Sequence, residues 1–355
     1  MVDVSGACAY LDGRLATGLL DVTSDPACLD SAGWWAAVIA YDDPPVFARF
    51  KDVRASPLPV GHWVGPAADS WTSSMSRDDY VRAVELVRSR IALGDVYQAN
   101  VCRILSAELP DLGASDVMGL ATLLAQGNPS PYSGVVYLPS GSHRAVPAHG
   151  VAVVTASPEL FLRLERGMVE SGPIKGTGRT AADLTAKDSA ENVMIVDLMR
   201  NDLGAVCRTG SVTVPSLLAV EAHPGLVHLV STVRGELAEG VSWGRLLAST
   251  FPPGSVTGAP KSSAVRIISE VETQVRGPYC GAVGWVDADA ARAELAVAIR
   301  TFWLREGRVH FGTGAGITWG SDAAREWDET ELKAETLLSV AAGTSVASSR
   351  EVESL

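Results

Sequence analysis

Three short apolar runs follow one another closely: 132–138 (YSGVVYL), 149–157 (HGVAVVTAS) and 159–167 (ELFLRLERG), each ended by proline, serine or glycine. They are too short for typical helices, and they read as successive strands of a half-buried antiparallel sheet. Such a block commits the chain to a sheet-based core. Strand-like runs at 34–41 and 46–53 precede it, broken by DDPP and ASPLPVG, and further strands are expected at 95–109, 226–237, 281–287, 294–304 and 308–318.

Helices are interleaved with these strands. The segment 76–94 has an N-cap candidate at Ser76, apolar residues at Val81, Val84, Val87 and Ile91, and Gly94 as a stop. Others are expected at 115–127, 184–204, 242–251, from about Ser262, and at 325–343. In 184–204 the apolar stripe is assigned to Met194, Ile195 and Leu198. Helices and strands together read as a mixed fold built around a half-buried antiparallel sheet. Residues 1–75 read as a short β-rich segment packed on the core, 76–342 as the main domain and 343–355 as a small-polar tail expected to be mobile.

With 29 Lys and Arg against 41 Asp and Glu, the net charge is −12, and no global field draws nucleic acid or an anionic membrane surface. Anionic substrates would need local cations. The five cysteines are odd in number, widely spaced and never in a CxxC pair, which speaks against a disulfide framework or a zinc site and suits a reducing cytoplasm. Neither a secretory leader nor a membrane span is indicated.

Candidate chemistry starts at SGPIKGTGRT (171–180), where Lys175 precedes Gly176-Thr177. A phosphate loop needs the opposite order, with glycine before the lysine and a helix following, so the bland reading of Lys175 is a solvated loop residue. In the last helix Glu326, Glu329 and Lys333 share one face at i, i+3 and i+7, and Asp188 and Glu191 repeat the spacing. Alone these are ordinary salt-bridged faces. Aimed into one cleft, they could hold Mg²⁺, which takes one or two protein carboxylates and keeps waters for substrate. Arg300, in an apolar run, is costly to bury without an anion and could clamp a carboxylate. The small residues of SVTGAPK and GTGAGI leave backbone amides open to a ligand, and Pro260 suits the first turn of a helix whose N-terminus favours anions. A small dicarboxylate held partly by Mg²⁺ fits these pieces.

SPEL (157–160), PIKGT (173–177), KDSAENVMIVDLMRNDLG (187–204), HLVSTVRGEL (228–237), FPPGSVTGAPK (251–261), RGPYCGAVGW (276–285), AIRT (298–301), GTGAGI (312–317) and REWDETELKAE (325–335) occur in the order found in the chorismate-utilising enzymes. The chain resembles that family over about residues 76–342. The resemblance implies the family's chorismate-binding, anthranilate synthase-like α/β fold, with large antiparallel sheets flanked by helices, Mg²⁺ as cofactor and the dicarboxylate chorismate as substrate. Gln98 stands where water-using members carry a lysine base, which implies ammonia as nucleophile. Lys175 stands where anthranilate synthases carry alanine and aminodeoxychorismate synthases carry lysine, which implies a nucleophilic lysine.

By the same resemblance Glu159 is the general acid, and Glu191 and Glu329 are metal ligands, with Glu326 a water-mediated one. Arg300 and Tyr279 are expected to hold the enolpyruvyl carboxylate with backbone groups of Gly314, Ala315 and Gly316. Gly176, Thr177, Thr257, His228 and Lys333 are expected to line the pocket; His228 is placed with the catalytic group, although a histidine on an apolar strand is more often structural. The family's tryptophan pocket is matched on one wall only, by NPSPY (128–132). No amidotransferase triad cysteine is recognisable, so ammonia would come from a separate glutamine amidotransferase subunit or from free ammonium. An anthranilate or 2-amino-2-deoxyisochorismate synthase, and a non-catalytic binding subunit, are the competing readings.

Overall fold

The computed structural model describes residues 6–110, 116–178, 180–223 and 226–343. All but the first residue of the expected tail lie outside them. The amino-terminal strands are β1 (Cys8–Leu11), β2 (Arg14–Thr23), β3 (Trp34–Ile39), β4 (Val46–Ala55) and the two-residue β5 (Thr72–Ser73). Helix α1 (Arg77–Ala92) opens where the cap residue requires: the Ser76 side chain accepts from Asp79 N, and Asp78 and Asp79 complement the helix dipole.

Strand β6 (Gln98–Glu108), helix α2 (Val117–Gly127), and strands β7 (Tyr132–Leu138), β8 (Val151–Ser157) and β9 (Leu160–Glu165) form the expected block. Next come β10 (Met168–Gly172), β11 (Ile174–Gly178), α3 (Ala186–Gly204) and the hairpin β12 (Thr213–His223) with β13 (Leu226–Glu236). They are followed by α4 (Trp243–Thr250), β14 (Gly258–Ala259), α5 (Lys261–Val271), β15 (Ala282–Asp287), β16 (Arg292–Val297), β17 (Thr301–Arg305), β18 (Arg308–Ile317) and α6 (Ala323–Ala341).

Antiparallel pairing runs unbroken from β12 through β13, β10, β9, β16, β15, β3, β4, β2, β1, β7, β8, β17 and β18 to β6. The earliest strands thus join the two halves: β3 bonds to β15 and β1 to β7. Trp35, Val38, Phe161 and Val283 from one half share a buried cluster with Val136, Leu138 and Val153 from the other. Separate clusters hold α2 and α6 against β8 and β18, and α1 and α5 against β6. No helix among the described residues is long and apolar enough to cross a membrane.

Three local expectations change. The run 294–304 is two strands, because Ala298, Ile299 and Arg300 interrupt it and Arg300 adopts φ +50°. Helix α3 buries Asn192, Ile195, Val196, Met199, Asp202 and Leu203, a face rotated from the Met194–Leu198 stripe. Polarity misled the periodicity here: Asn192 donates to Leu229 O, and Asp202 pairs with Lys261 at 2.7 Å, so both are satisfied inside. Lys175 lies on a strand, β11, instead of in a loop.

Candidate active site

Strand β11 pairs with β13 through Ile174 opposite Val230 and Thr177 opposite His228, so three steps on β11 face two on β13. The extra residue falls at Lys175-Gly176, and Gly176 has φ +86°, where a Cβ would lie 2.8 Å from Asp188 Cβ. Such a bulge re-aims a side chain and demands glycine at the left-handed position. It explains why a lysine flanked by glycine ends in the interior. The Lys175 side chain is 15% exposed, with Nζ 4.0 Å from Glu191 Oε2 and 3.4 Å from Ser255 O. Burial pulls its pKa down, and Lys333 adds to this while Glu191 opposes it.

Glu159, between β8 and β9, is buried, and its carboxyl faces the Ser255 hydroxyl and the Ile174 amide. Burial pushes it up to about 7, against the pull of Ser255 and Lys175. At neutral pH much of it carries a proton it can give away. Ser255 therefore touches both side chains, its hydroxyl toward the Glu159 carboxyl and its carbonyl toward the Lys175 amine. The sequence reading missed it, seeing only small residues in that turn. Lys261 holds the turn from outside, donating to Asp202 and to Thr250 O at 2.8 Å.

Gln98 opens β6. Both polar atoms of its side chain are buried and make no hydrogen bond among the described residues. Buried amides are nearly always paired, so this one points to a ligand. It lies against the glycines of β18: a Cβ on Gly316 would sit 2.6 Å from Gln98 Nε2 and 3.3 Å from Lys175 Nζ. Gly312 likewise leaves room for the Tyr279 ring, and Gly314 for Cys102. Ala315 points to the opposite face, into the cluster with α1 and α5, so only its backbone could serve the cleft. Lys333 donates to Gly314 O at 3.2 Å.

Arg300 is half-buried, and no side chain or carbonyl among the described residues pairs with its guanidinium; burial lowers its pKa. Cys280 N bonds to Ala298 O, so the turn bearing buried Tyr279 runs beside the segment bearing Arg300. The Thr257 hydroxyl donates to Pro253 O at 2.9 Å and closes the turn, which leaves its oxygen as an acceptor. His228 is buried on β13. The Thr177 side chain lies outside the described atoms.

The acidic wall comes from two helices. Glu191 on α3 faces Glu326 and Glu329 on α6 across Lys187, whose Nζ is 3.7 Å from Glu191 Oε1 and 3.5 Å from Glu326 Oε1. Glu329 pairs with Lys333 at 2.6 Å. Burial pushes Glu191 up despite Lys175 and Lys187, whereas at Glu329 the upward push of burial is outweighed by Lys333 and its pKa falls. Asp188 is occupied elsewhere, closing a capping box with Thr185.

Among the described residues no three acidic, imidazole or thiol side chains converge on one point. The donor set nonetheless fits a hard cation that takes one or two carboxylates: Glu191 Oε1 is buried without a hydrogen bond, and an ammonium stands between Glu191 and Glu326. A separate cavity of about 350 Å³, lined by Val38, Pro44, Val46, Pro147, Trp303 and Arg305, touches none of these residues.

A family model described as chorismate binding enzyme matches residues 50–339. Among curated relatives, aminodeoxychorismate synthase component 1 of Klebsiella aerogenes is 34% identical over 85% of this chain and 66% of its own length. Anthranilate synthase component 1 of Streptomyces coelicolor is 37% identical over 84% and 60%. The chain thus spans less than two thirds of the length of these relatives. Among solved structures, anthranilate synthase component I from Streptococcus pneumoniae superposes with TM-score 0.76 at 23% identity, covering 95% of this chain and 94% of that one. The menaquinone-specific isochorismate synthase of Escherichia coli gives 0.75 at 18%, covering 94% and 88%. The antiparallel fold is therefore shared with these enzymes, and this chain belongs to the chorismate-binding enzyme family.

Proposed function

We propose that the chain converts chorismate and ammonia to 4-amino-4-deoxychorismate through a covalent bond to Lys175. The observation that carries this reading is a lysine buried on a bulge, its pKa lowered, close to a carboxyl whose pKa burial raises to about 7, so that about half of it holds its proton at neutral pH. The neutral Nζ would add at C2 of the ring, the double bond would shift, and the C4 hydroxyl would leave as water with the proton of Glu159. Ammonia would then add at C4 with the reverse shift, expelling Lys175 and delivering the amine with net retention. Two allylic displacements give that outcome more naturally than one.

Arg300 supports the same reading, because a half-buried guanidinium without a partner is suited to a substrate carboxylate, with Tyr279 beside it. Gln98, amide-bearing and uncharged, would orient ammonia and could not act as a base toward water. Glu191 and Glu329 would hold Mg²⁺, with Glu326 acting through a water; the ion would supply charge stabilisation at the ring carboxylate. Ammonia is proposed to come from a separate glutamine amidotransferase subunit.

Anthranilate synthesis is the second reading, favoured by the 37% identity to an anthranilate synthase component. Lys175 weighs against it, since anthranilate needs attack by ammonia itself at C2. Incubation with chorismate, Mg²⁺ and ammonium followed by mass analysis separates the two. The proposal expects 4-amino-4-deoxychorismate; fluorescent anthranilate formed without a lyase would establish the other.

A further inference from the structure

Lys187 has no role in the chemistry above, yet it occupies the centre of the acidic wall. It rises from the first turn of α3 with its side chain 51% exposed, and reaches Glu191 and Glu326 at 3.7 and 3.5 Å. Other lysine–carboxylate pairs in the same region are short: Lys333–Glu329 is 2.6 Å and Lys261–Asp202 is 2.7 Å. Lys187 is held loosely by comparison, by charge more than by hydrogen bonds. Glu191 Oε1, the oxygen it approaches on α3, is buried and accepts no hydrogen bond.

The charges of the cleft also balance. With Lys175 neutral and Glu159 protonated, as the proposed chemistry requires, Glu191, Glu326 and Glu329 stand against Lys187, Lys333 and the guanidinium of Arg300, three of each sign. A divalent cation arriving alone would leave the cleft with two surplus positive charges, and a dicarboxylate arriving with it would restore neutrality. We infer that Lys187 is a displaceable counter-cation, holding Glu191 and Glu326 together in the metal-free protein and competing with the divalent ion for them. This rests on the reading that Glu191 is a metal ligand. It adds a function for Lys187: it keeps metal affinity low until a dianion is present, and so couples the two ligands. A half-exposed ammonium on a flexible stem can swing away at small cost, which is what displacement requires.

The test is calorimetric titration of the whole chain with MgCl₂ at low ionic strength, without any organic ligand. Lys187→Ala and Lys187→Met are expected to bind Mg²⁺ at least fivefold more tightly than wild type, Lys187→Arg to stay near wild type, and Glu191→Gln to lose binding. Circular dichroism verifies that each variant is folded. Unchanged or weaker binding by folded Lys187→Ala and Lys187→Met overturns the inference, because then the ammonium does not compete. If wild type and the Lys187 variants bind Mg²⁺ but Glu191→Gln binds it equally well, the metal assignment itself is wrong, and the inference falls with it.

Discussion

The two walls of the cleft are built differently. On one side, Lys175, Gln98 and the glycines of β18 are fixed by backbone: a bulge, a register and the absence of Cβ atoms set their positions. On the other, Glu191, Glu326, Glu329, Lys187 and Lys333 are long side chains on two helices, held mainly by ion pairs to one another, several of them half exposed. The strand wall is suited to bond-making, where an ångström of error is costly. The helical wall is suited to binding, where ligands rearrange. Substitutions on the first should alter rate and product, and those on the second should alter affinity.

The largest expected effect is on the strand wall. Lys175→Ala leaves Glu159, Gln98 and the acidic wall in place, so the covalent route is lost while direct attack by ammonia at C2 stays open. Formation of 4-amino-4-deoxychorismate should fall by roughly 10³-fold or more, with slow 2-amino-2-deoxyisochorismate in its place, as read by mass analysis of products. Unchanged product at wild-type rate would make Lys175 a binding residue.

Glu159→Gln should lower turnover by about 10²–10⁴-fold, the usual worth of a positioned acid. Its pH signature is specific. With Glu159 raised from 4.5 to about 7, kcat/KM measured at constant NH₃ concentration should carry a descending limb through about 7 from loss of the acid's proton, set against the ascending limb by which Lys175 becomes neutral, and Glu159→Gln should lose the descending limb. A wild-type profile without that limb would remove Glu159 from the acid role.

On the helical wall, Glu329→Gln should cost turnover at ordinary Mg²⁺ and regain part of it in excess Mg²⁺, because it weakens a ligand site instead of a reacting group. A loss unresponsive to Mg²⁺ would blur the distinction between the walls. Gly316→Ala pushes on the far ends of Gln98 and Lys175 and on no backbone, so the melting temperature should barely move while kcat falls roughly tenfold to 10²-fold.

The last effect is on stability and leaves the comparison of the two walls untouched. Because the folded carboxyl of Glu159 titrates above its unfolded value, its contribution is fully present below about 4.5 and is lost as pH rises toward 7, on the order of 3 kcal/mol. Glu159→Gln should flatten that part of the denaturation profile.

The strand block, the capped helices and the acidic spacing of α6 were legible in the sequence, because periodicity and caps are local signals. Lys175 was legible as unusual but not as buried: a five-residue strand containing two glycines reads as a turn, and only pairing with β13 makes it a strand. Ser255 and Lys187 escaped notice because their roles depend on what faces them across space. That the Thr257 hydroxyl closes its own turn is a side-chain choice that spacing cannot reveal.

The central claim is that Lys175 attacks the ring. Wild-type protein incubated with chorismate and Mg²⁺ in the absence of ammonia should accumulate an adduct whose mass increment equals chorismate less water, mapped by peptide sequencing to Lys175. An unmodified protein under those conditions, together with 4-amino-4-deoxychorismate formation by Lys175→Ala at the wild-type rate, would contradict it.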